Sequence, residues 1–408
     1  MSRWTEKQRA EMARISEECK SVLLERVVPF WSERVVDKQF GGYFTCFDQL
    51  GSLSDTRKPG WFIGRIMYTF SLLCQRFGAR DEWLEIAKAG YDFLPGASAG
   101  DGRFAQMLSR KGEILAGAVS IFTDHFAVKG LINFLTALGN KADEKDIAYT
   151  KELLDKLLIH VKDPEILRLE CPDERFQKHA VNFMTMAVLI EAKKLFGSEY
   201  DSILREYVSR SLYQFASDEL GAPMEYIGRD GKPLPEGPGR ITDAGHTMES
   251  LWFSMEAADL LGEKEWYHRA GEVLDWVIRD CWDDQYGGFI QHRDFERGEP
   301  EEIFLITDYD GTPVGWQDKI WWVQAESLIA LCMSAVRNNN EKHWDKFKEL
   351  YQYVRLHLTD PRTGEWYSFL HRDGRMLLPD LGSTLKGPYH VPRCLMMITG
   401  ILEKALAE

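Results

Sequence analysis

The sequence predicts an all-α protein, an (α/α)6 toroid with short β-hairpins and loops decorating one mouth. Three observations lead there. Apolar residues recur at helical spacing through most of the 408 residues. A short Gly-turn pattern punctuates those helices at intervals of 55 to 77 residues. No Pro/Gly/Ser-rich linker or charge run divides the chain, so residues 1–408 read as one domain.

Taken in order, Met1 to Lys20 is charged and helical in pattern, without the apolar run of a signal peptide. The first turn is Gly41-Gly42-Tyr43-Phe44, closed by Asp48. Trp83, Leu84, Ile86, Ala87 and Tyr91 then mark a helix. Gly102-Arg103-Phe104, closed by Gly112, is the second turn, and Leu153, Leu154, Leu157 and Leu158 mark another helix. A weaker β-like run, Ile166-Leu167-Arg168-Leu169 closed by Pro172-Asp173, falls in the one large gap. The pattern returns at Gly221-Ala222-Pro223-Met224, at Gly287-Gly288-Phe289-Ile290 and at Gly364-Glu365-Trp366-Tyr367, with the helix of Leu328, Ile329, Leu331 and Cys332 between the last two. Six starts, each interval with room for two helices and a hairpin, suggest six stacked helix pairs that close into a ring.

Composition sets the outer bounds. Lys+Arg 50 against Asp+Glu 64 gives a formal net charge of −14, and without a cationic stripe this argues against a nucleic-acid partner. The 7 cysteines are scattered and odd in number, with no CxxC pair, which fits reduced thiols better than a disulfide framework or a zinc site. No window approaches the ~20 apolar residues of a spanning helix. A soluble, cytoplasmic protein without a membrane partner is the expectation. The 13 Trp, 15 Tyr and 22 Phe suit either a large aromatic core or ring faces that stack on sugar C–H surfaces.

Two histidines stand apart from the rest. His160, His179, His268, His343 and His357 sit in charged or surface-patterned helices. His246 instead follows Asp243, a helix N-cap in pattern, and shares a helical face with Glu249 and Phe253, so a carboxylate can orient or charge its imidazole. His390 lies in Lys386-Gly-Pro-Tyr-His-Val-Pro-Arg393, where Pro392 suits a first helical position and places His390 where a helix begins. A satisfied core histidine is the competing reading for each. Arg65, between aromatics in Gly60-Trp-Phe-Ile-Gly-Arg65, is either a snorkelling surface residue or a fixed cation that polarises a carbonyl. Glu326 follows the Trp321–Trp322 pair on an apolar helix, and a buried carboxylate there needs a partner. Phosphate-loop, zincin and esterase signatures are absent.

Read together, several segments resemble the N-acylglucosamine 2-epimerase family nearly end to end. They are Phe40-Gly-Gly-Tyr-Phe-Thr-Cys46, Gly64-Arg65, Ser120-Ile-Phe-Thr-Asp124, Gly245-His-Thr-Met-Glu249, Lys319-Ile-Trp-Trp322 with Glu326, and Lys386 to Arg393. The resemblance implies an (α/α)6 sugar epimerase in which His246 and His390 match the two catalytic histidines and Arg65 the arginine on the open-chain carbonyl oxygen. Glu249, Glu326 and Arg393 match residues that orient those groups, with Glu249 and Glu326 counted in the catalytic set. Trp61, Asn182, Met184, Trp321, Trp322 and Arg393 are the substrate-binding candidates. The resemblance further implies a homodimer, no metal and no required cofactor, with ATP as an activator of the animal-type members.

One departure bears on substrate. The disaccharide-epimerase and mannose-isomerase branches carry a further histidine in a Met-His segment, and the matching stretch, Asn182 to Val188, has none; His179 falls outside that register. The expectation is therefore interconversion of N-acetyl-D-glucosamine and N-acetyl-D-mannosamine by deprotonation and reprotonation at C2. The alternatives are aldose–ketose isomerisation, disaccharide 2-epimerisation, and an (α/α)6 hydrolase or lyase built on two carboxylates.

Overall fold

Twelve helices of 13 residues or more carry the described chain, alternating between two kinds of burial. The computed structural model describes residues 4–171, 173–296, 298–300, 308–309 and 312–408. In order the helices are α1 Glu6–Val22, α2 Gly60–Phe77, α3 Asp81–Phe93, α4 Ile121–Leu138, α5 Glu144–His160 and α6 His179–Phe196. They continue as α7 Asp201–Tyr213, α8 Ala244–Leu261, α9 Glu265–Cys281, α10 Trp321–Asn338, α11 Glu341–His357 and α12 His390–Ala407. The even-numbered helices are buried nearly all round, whereas each odd-numbered helix buries one stripe, such as Met12, Ile15 and Cys19 on α1. That is the sequence difference between an all-apolar helix and an amphipathic one.

The helices group into two compact units. One gathers Met1–Val28, Val208–Pro379 and His390–Glu408; the other gathers Pro29–Tyr207 and Asp380–Tyr389. In the first, α8, α10 and α12 pack in a row with α9, α11 and α1 against them. In the second, α4 packs between α2 and α6, with α3 and α5 outside.

A repeated hairpin sets the start of one buried helix in each unit. In Asp37-Lys-Gln-Phe-Gly-Gly-Tyr43 the Asp37 N–H donates to Gly42 O at 3.0 Å, and the Gly41 N–H donates to Asp37 O at 2.8 Å. In Asp283-Asp-Gln-Tyr-Gly-Gly-Phe289 the same two bonds measure 3.1 and 2.8 Å. Both turns need two successive residues in the left-handed region, with φ of 75° and 67° in the first and 77° and 73° in the second, which glycine enters without penalty. Each aspartate holds a buried lysine, Lys58 Nζ at 3.1 Å and Lys319 Nζ at 2.9 Å. Each lysine stands two residues before a helix, α2 and α10. A third turn, at Asp360 and Gly364, repeats the backbone bonds.

Two expectations need correcting. Ile166–Leu169 is not β-like: Asp163 caps the backbone N–H of Glu165, Pro164 pre-sets the first helical φ, and Pro164–Leu167 closes as one helical turn. Pro172, which was to close that run, lies outside the described residues. The histidines placed on surface-patterned helices also divide. His268 and His357 are exposed, but His179 and His343 are at 2% and 0% exposure and His160 at 6%. His343 bridges helices, its Nδ1 2.9 Å from Ser334 Oγ and its Nε2 3.1 Å from Asp275 Oδ1. Pairing with neighbouring helices hides polar residues that a single-helix pattern assigns to solvent.

Candidate active site

Most of the predicted residues gather on α8, α10 and α12 of the first unit. Helix α12 begins at His390 itself, so the imidazole occupies the first helical position and Pro392 falls within the first turn, two residues later than the sequence suggested. Its Nδ1 lies 2.7 Å from Glu326 Oε1. Glu326, wholly buried, also accepts from Trp252 Nε1 at 2.8 Å and from Arg393 Nη2 at 2.7 Å. The same Arg393 nitrogen donates to Glu249 Oε1 at 2.5 Å, so one guanidinium bridges two buried carboxylates.

Glu249, Glu326 and His390 offer ligand atoms within 4.8 Å of one another, the spacing of a metal centre. A dication placed there would meet Arg393 Nη2, which stands 3.4 Å from His390 Nδ1 and already bridges both carboxylates. The donor set therefore suits a positioning network better than a metal.

His246 is built differently. Asp243 caps α8 as its pattern indicated, accepting the His246 backbone N–H at 2.9 Å. The carboxylates beside the His246 ring, however, are Glu225, with Oε2 3.1 Å from Nδ1, and Asp243, with Oδ2 at 3.4 Å. Glu249, predicted to orient this imidazole from one helical turn away, is instead turned toward Arg393. Asp243 Oδ2 also faces His292 Nε2 at 3.0 Å and accepts from Gln291 Nε2 at 2.9 Å. Burial pushes the Asp243 carboxyl up, but the His246 and His292 charges and their donated bonds outweigh it and hold the group well below the usual carboxylate range.

Trp322 joins the two histidines. Its ring centroid lies 5.4 Å from that of His246 and 5.8 Å from that of His390, both tilted. Gly245 makes room for it, since a Cβ there would fall 2.3 Å from the indole ring. Trp321, by contrast, is buried edge-on against Phe369.

The second unit carries Arg65. Its guanidinium carbon lies 4.1 Å from the centroid of Phe126, 5.0 Å from those of Trp61 and Tyr389, and 5.3 Å from that of Phe62. A half-buried arginine held among four rings is not a snorkelling surface residue. Tyr389, the residue immediately before His390, accepts from the buried Lys129 Nζ at 3.2 Å. Trp61 Nε1 donates to Thr384 O at 3.2 Å. Asn182 and Met184 lie in the packed interior of α6, at 2% and 5% exposure, and the Asn182 amide donates to Tyr207 O at 2.9 Å. In the stretch that lacks a histidine of its own, Thr185 Oγ1 meets His125 Nε2 at 2.9 Å.

Sequence reasoning missed Glu225, Trp252, His292 and the cage ring Phe126. A further sequence signal marks only residues already named. The buried lysines Lys58, Lys319 and Lys386 each stand seven residues before Arg65, Glu326 and Arg393, so the same register position recurs across three repeats.

Known proteins resemble this chain along its length. The N-acylglucosamine 2-epimerase (GlcNAc 2-epimerase) family profile matches residues 42–394. The N-acylglucosamine 2-epimerase of Bos taurus is 28% identical over 403 residues, spanning 94% of this chain and 90% of that one. A cellobiose 2-epimerase of Bacteroides fragilis is 24% identical, spanning 95% of this chain and 99% of that one. Among solved structures, the cellobiose 2-epimerase of Spirochaeta thermophila superposes with a TM-score of 0.79 at 18% identity over 98% and 99% of the two chains. A D-mannose isomerase superposes with a TM-score of 0.78 at 17% identity over 94% and 97%. These structural likenesses are of fold, and they bear out the all-α, (α/α)6 expectation. With the family profile covering most of its length, the chain belongs to the N-acylglucosamine 2-epimerase family.

Proposed function

We propose that this protein is a sugar 2-epimerase that interconverts N-acetyl-D-glucosamine and N-acetyl-D-mannosamine through the open-chain aldehyde. One observation carries the reading. Two imidazoles, His246 and His390, share the Trp322 ring, and each turns its Nδ1 to a carboxylate. A carboxylate on Nδ1 keeps the proton there and leaves Nε2 for the substrate.

The chemistry asks for such a pair. The C2 proton is acidic only when C1 is a free aldehyde, and inversion needs removal on one face and delivery on the other. One histidine takes the proton and Arg65 stabilises the developing enediolate oxygen. The other histidine, charged, returns a proton to the opposite face. Acid–base help of this kind supplies ~10²- to 10⁴-fold per group, so the arginine and the aromatic surroundings account for much of the remainder. Arg393 holds Glu249 and Glu326 in place, and Trp61 and Trp322 offer ring faces to the sugar.

Finer features rest on the family reading: a homodimer, a cytoplasmic setting, no required cofactor, and ATP as activator. That all seven cysteines are free and buried supports a reducing compartment, and no helix among the described residues is long and apolar enough to cross a membrane. The test is product analysis with N-acetylglucosamine, with and without ATP. N-acetylmannosamine is expected, formed faster with ATP. A ketose from mannose, or activity only on a β-linked disaccharide, would favour a neighbouring branch and overturn the substrate assignment.

A further inference from the structure

We propose that Glu225 is the positioning residue of His246, its carboxylate holding the imidazole with the proton on Nδ1 so that Nε2 is the nitrogen offered to the sugar. This rests on the two-histidine reading above and adds a residue outside every motif that carries the family resemblance.

The backbone fixes Glu225 where it can act. Its N–H donates to Ile241 O at 2.8 Å, so it sits beside the strand Ile241–Asp243 that leads directly into α8. The side chain is 4% exposed, and neither carboxylate oxygen has a hydrogen-bond partner among the described residues. A buried carboxylate that serves no structural bond calls for an explanation. The His246 ring is set against it as an ion pair, with Oε2 3.1 Å from Nδ1.

Asp243 is the rival for this role, and it is already committed. Its Oδ1 takes the His246 backbone N–H, and its Oδ2 serves Gln291 Nε2 and His292 Nε2, leaving His246 Nδ1 more distant at 3.4 Å. The comparison with His390 points the same way. There Glu326 meets Nδ1 but is itself held by Arg393 and Trp252. On the His246 side no arginine among the described residues pairs with Glu225, and its carboxylate faces the imidazole.

The experiment separates a positioning role from a structural one. N-acetylglucosamine and N-acetylmannosamine are incubated separately in D2O, and initial deuterium incorporation at C2 is followed by NMR in wild type, Glu225→Gln, His246→Asn and the double variant, with Tm recorded for each. His246→Asn abolishes exchange from one sugar and spares exchange from the other, which His390 serves. Glu225→Gln is expected to slow that same His246-dependent exchange by about 10- to 100-fold, leave the other unchanged, and add nothing to His246→Asn. Equal slowing of both exchanges at unchanged Tm, or a further loss in the double variant, overturns the role of Glu225. If Glu225→Gln does not fold, Glu225→Met is read against the same criteria. A His246→Asn enzyme that still epimerises would instead overturn the two-histidine reading itself.

Discussion

Arg393 is the residue whose loss the structure prices most directly. It is fully buried, and one nitrogen bridges Glu249 at 2.5 Å and Glu326 at 2.7 Å. Replacing it with Met keeps the bulk and removes the only arginine that pairs with either carboxylate among the described residues. Two unit charges no more than 4.8 Å apart repel by at least about 3.5 kcal/mol at an effective dielectric near 20. Breaking a buried ion pair from one side costs about 3–5 kcal/mol, which agrees. Arg393→Met is therefore expected to lower stability by that amount, read from urea unfolding, and to depress turnover because His390 loses a fixed Glu326. The decisive comparison adds Glu249→Gln. With one carboxylate neutralised, Glu326 keeps its bonds from Trp252 and His390, so the double variant is expected to be more stable than Arg393→Met alone. Losses that simply add, or an Arg393→Met cost below about 1 kcal/mol, would refute the reasoning.

Two further outcomes follow from the geometry. Gly245→Ala places a methyl 2.3 Å from the Trp322 ring and displaces the indole that touches both histidines, so turnover should fall by about 100-fold while the far-ultraviolet circular dichroism is kept; near-normal activity would show that the indole placement does not matter. His125 is wholly buried, and burial, with a smaller push from Arg103 against the Ile121 carbonyl, lowers its pKa to about 4. The unfolded chain takes up that proton first, near pH 6.5, so the contribution is complete above pH 6.5 and lost as pH falls toward 4. The wild type should lose about 3 kcal/mol more than His125→Asn between those limits in urea titrations, and parallel pH dependences would contradict the burial argument.

The sequence carried the repeat and the site by different routes. Helix pairs were legible because apolar spacing distinguishes all-round burial, as in Leu328 to Cys332 of α10, from a stripe, as in α3. The Asp243 cap was legible because an N-cap acts within three residues. Long-range pairing was not. Nothing local tells Glu249 that its partner is Arg393, 144 residues away, instead of His246 one turn back. Glu225 escaped because it sits in a short irregular run whose period is neither 2 nor 3.6, and His343 because its partners lie on other helices. Ile166–Leu169 misled because four apolar-rich residues have no periodicity, while the Asp163–Pro164 start signal beside them decided the outcome.

The central claim is that two histidines work on one carbon from opposite faces. Its most direct measurement is C2 deuterium incorporation in D2O from each sugar with His246→Asn and His390→Asn. Each variant should lose epimerisation yet keep exchange from one sugar, and the sugars should be opposite for the two variants. Exchange from the same sugar in both, or epimerisation surviving in either, would contradict the account.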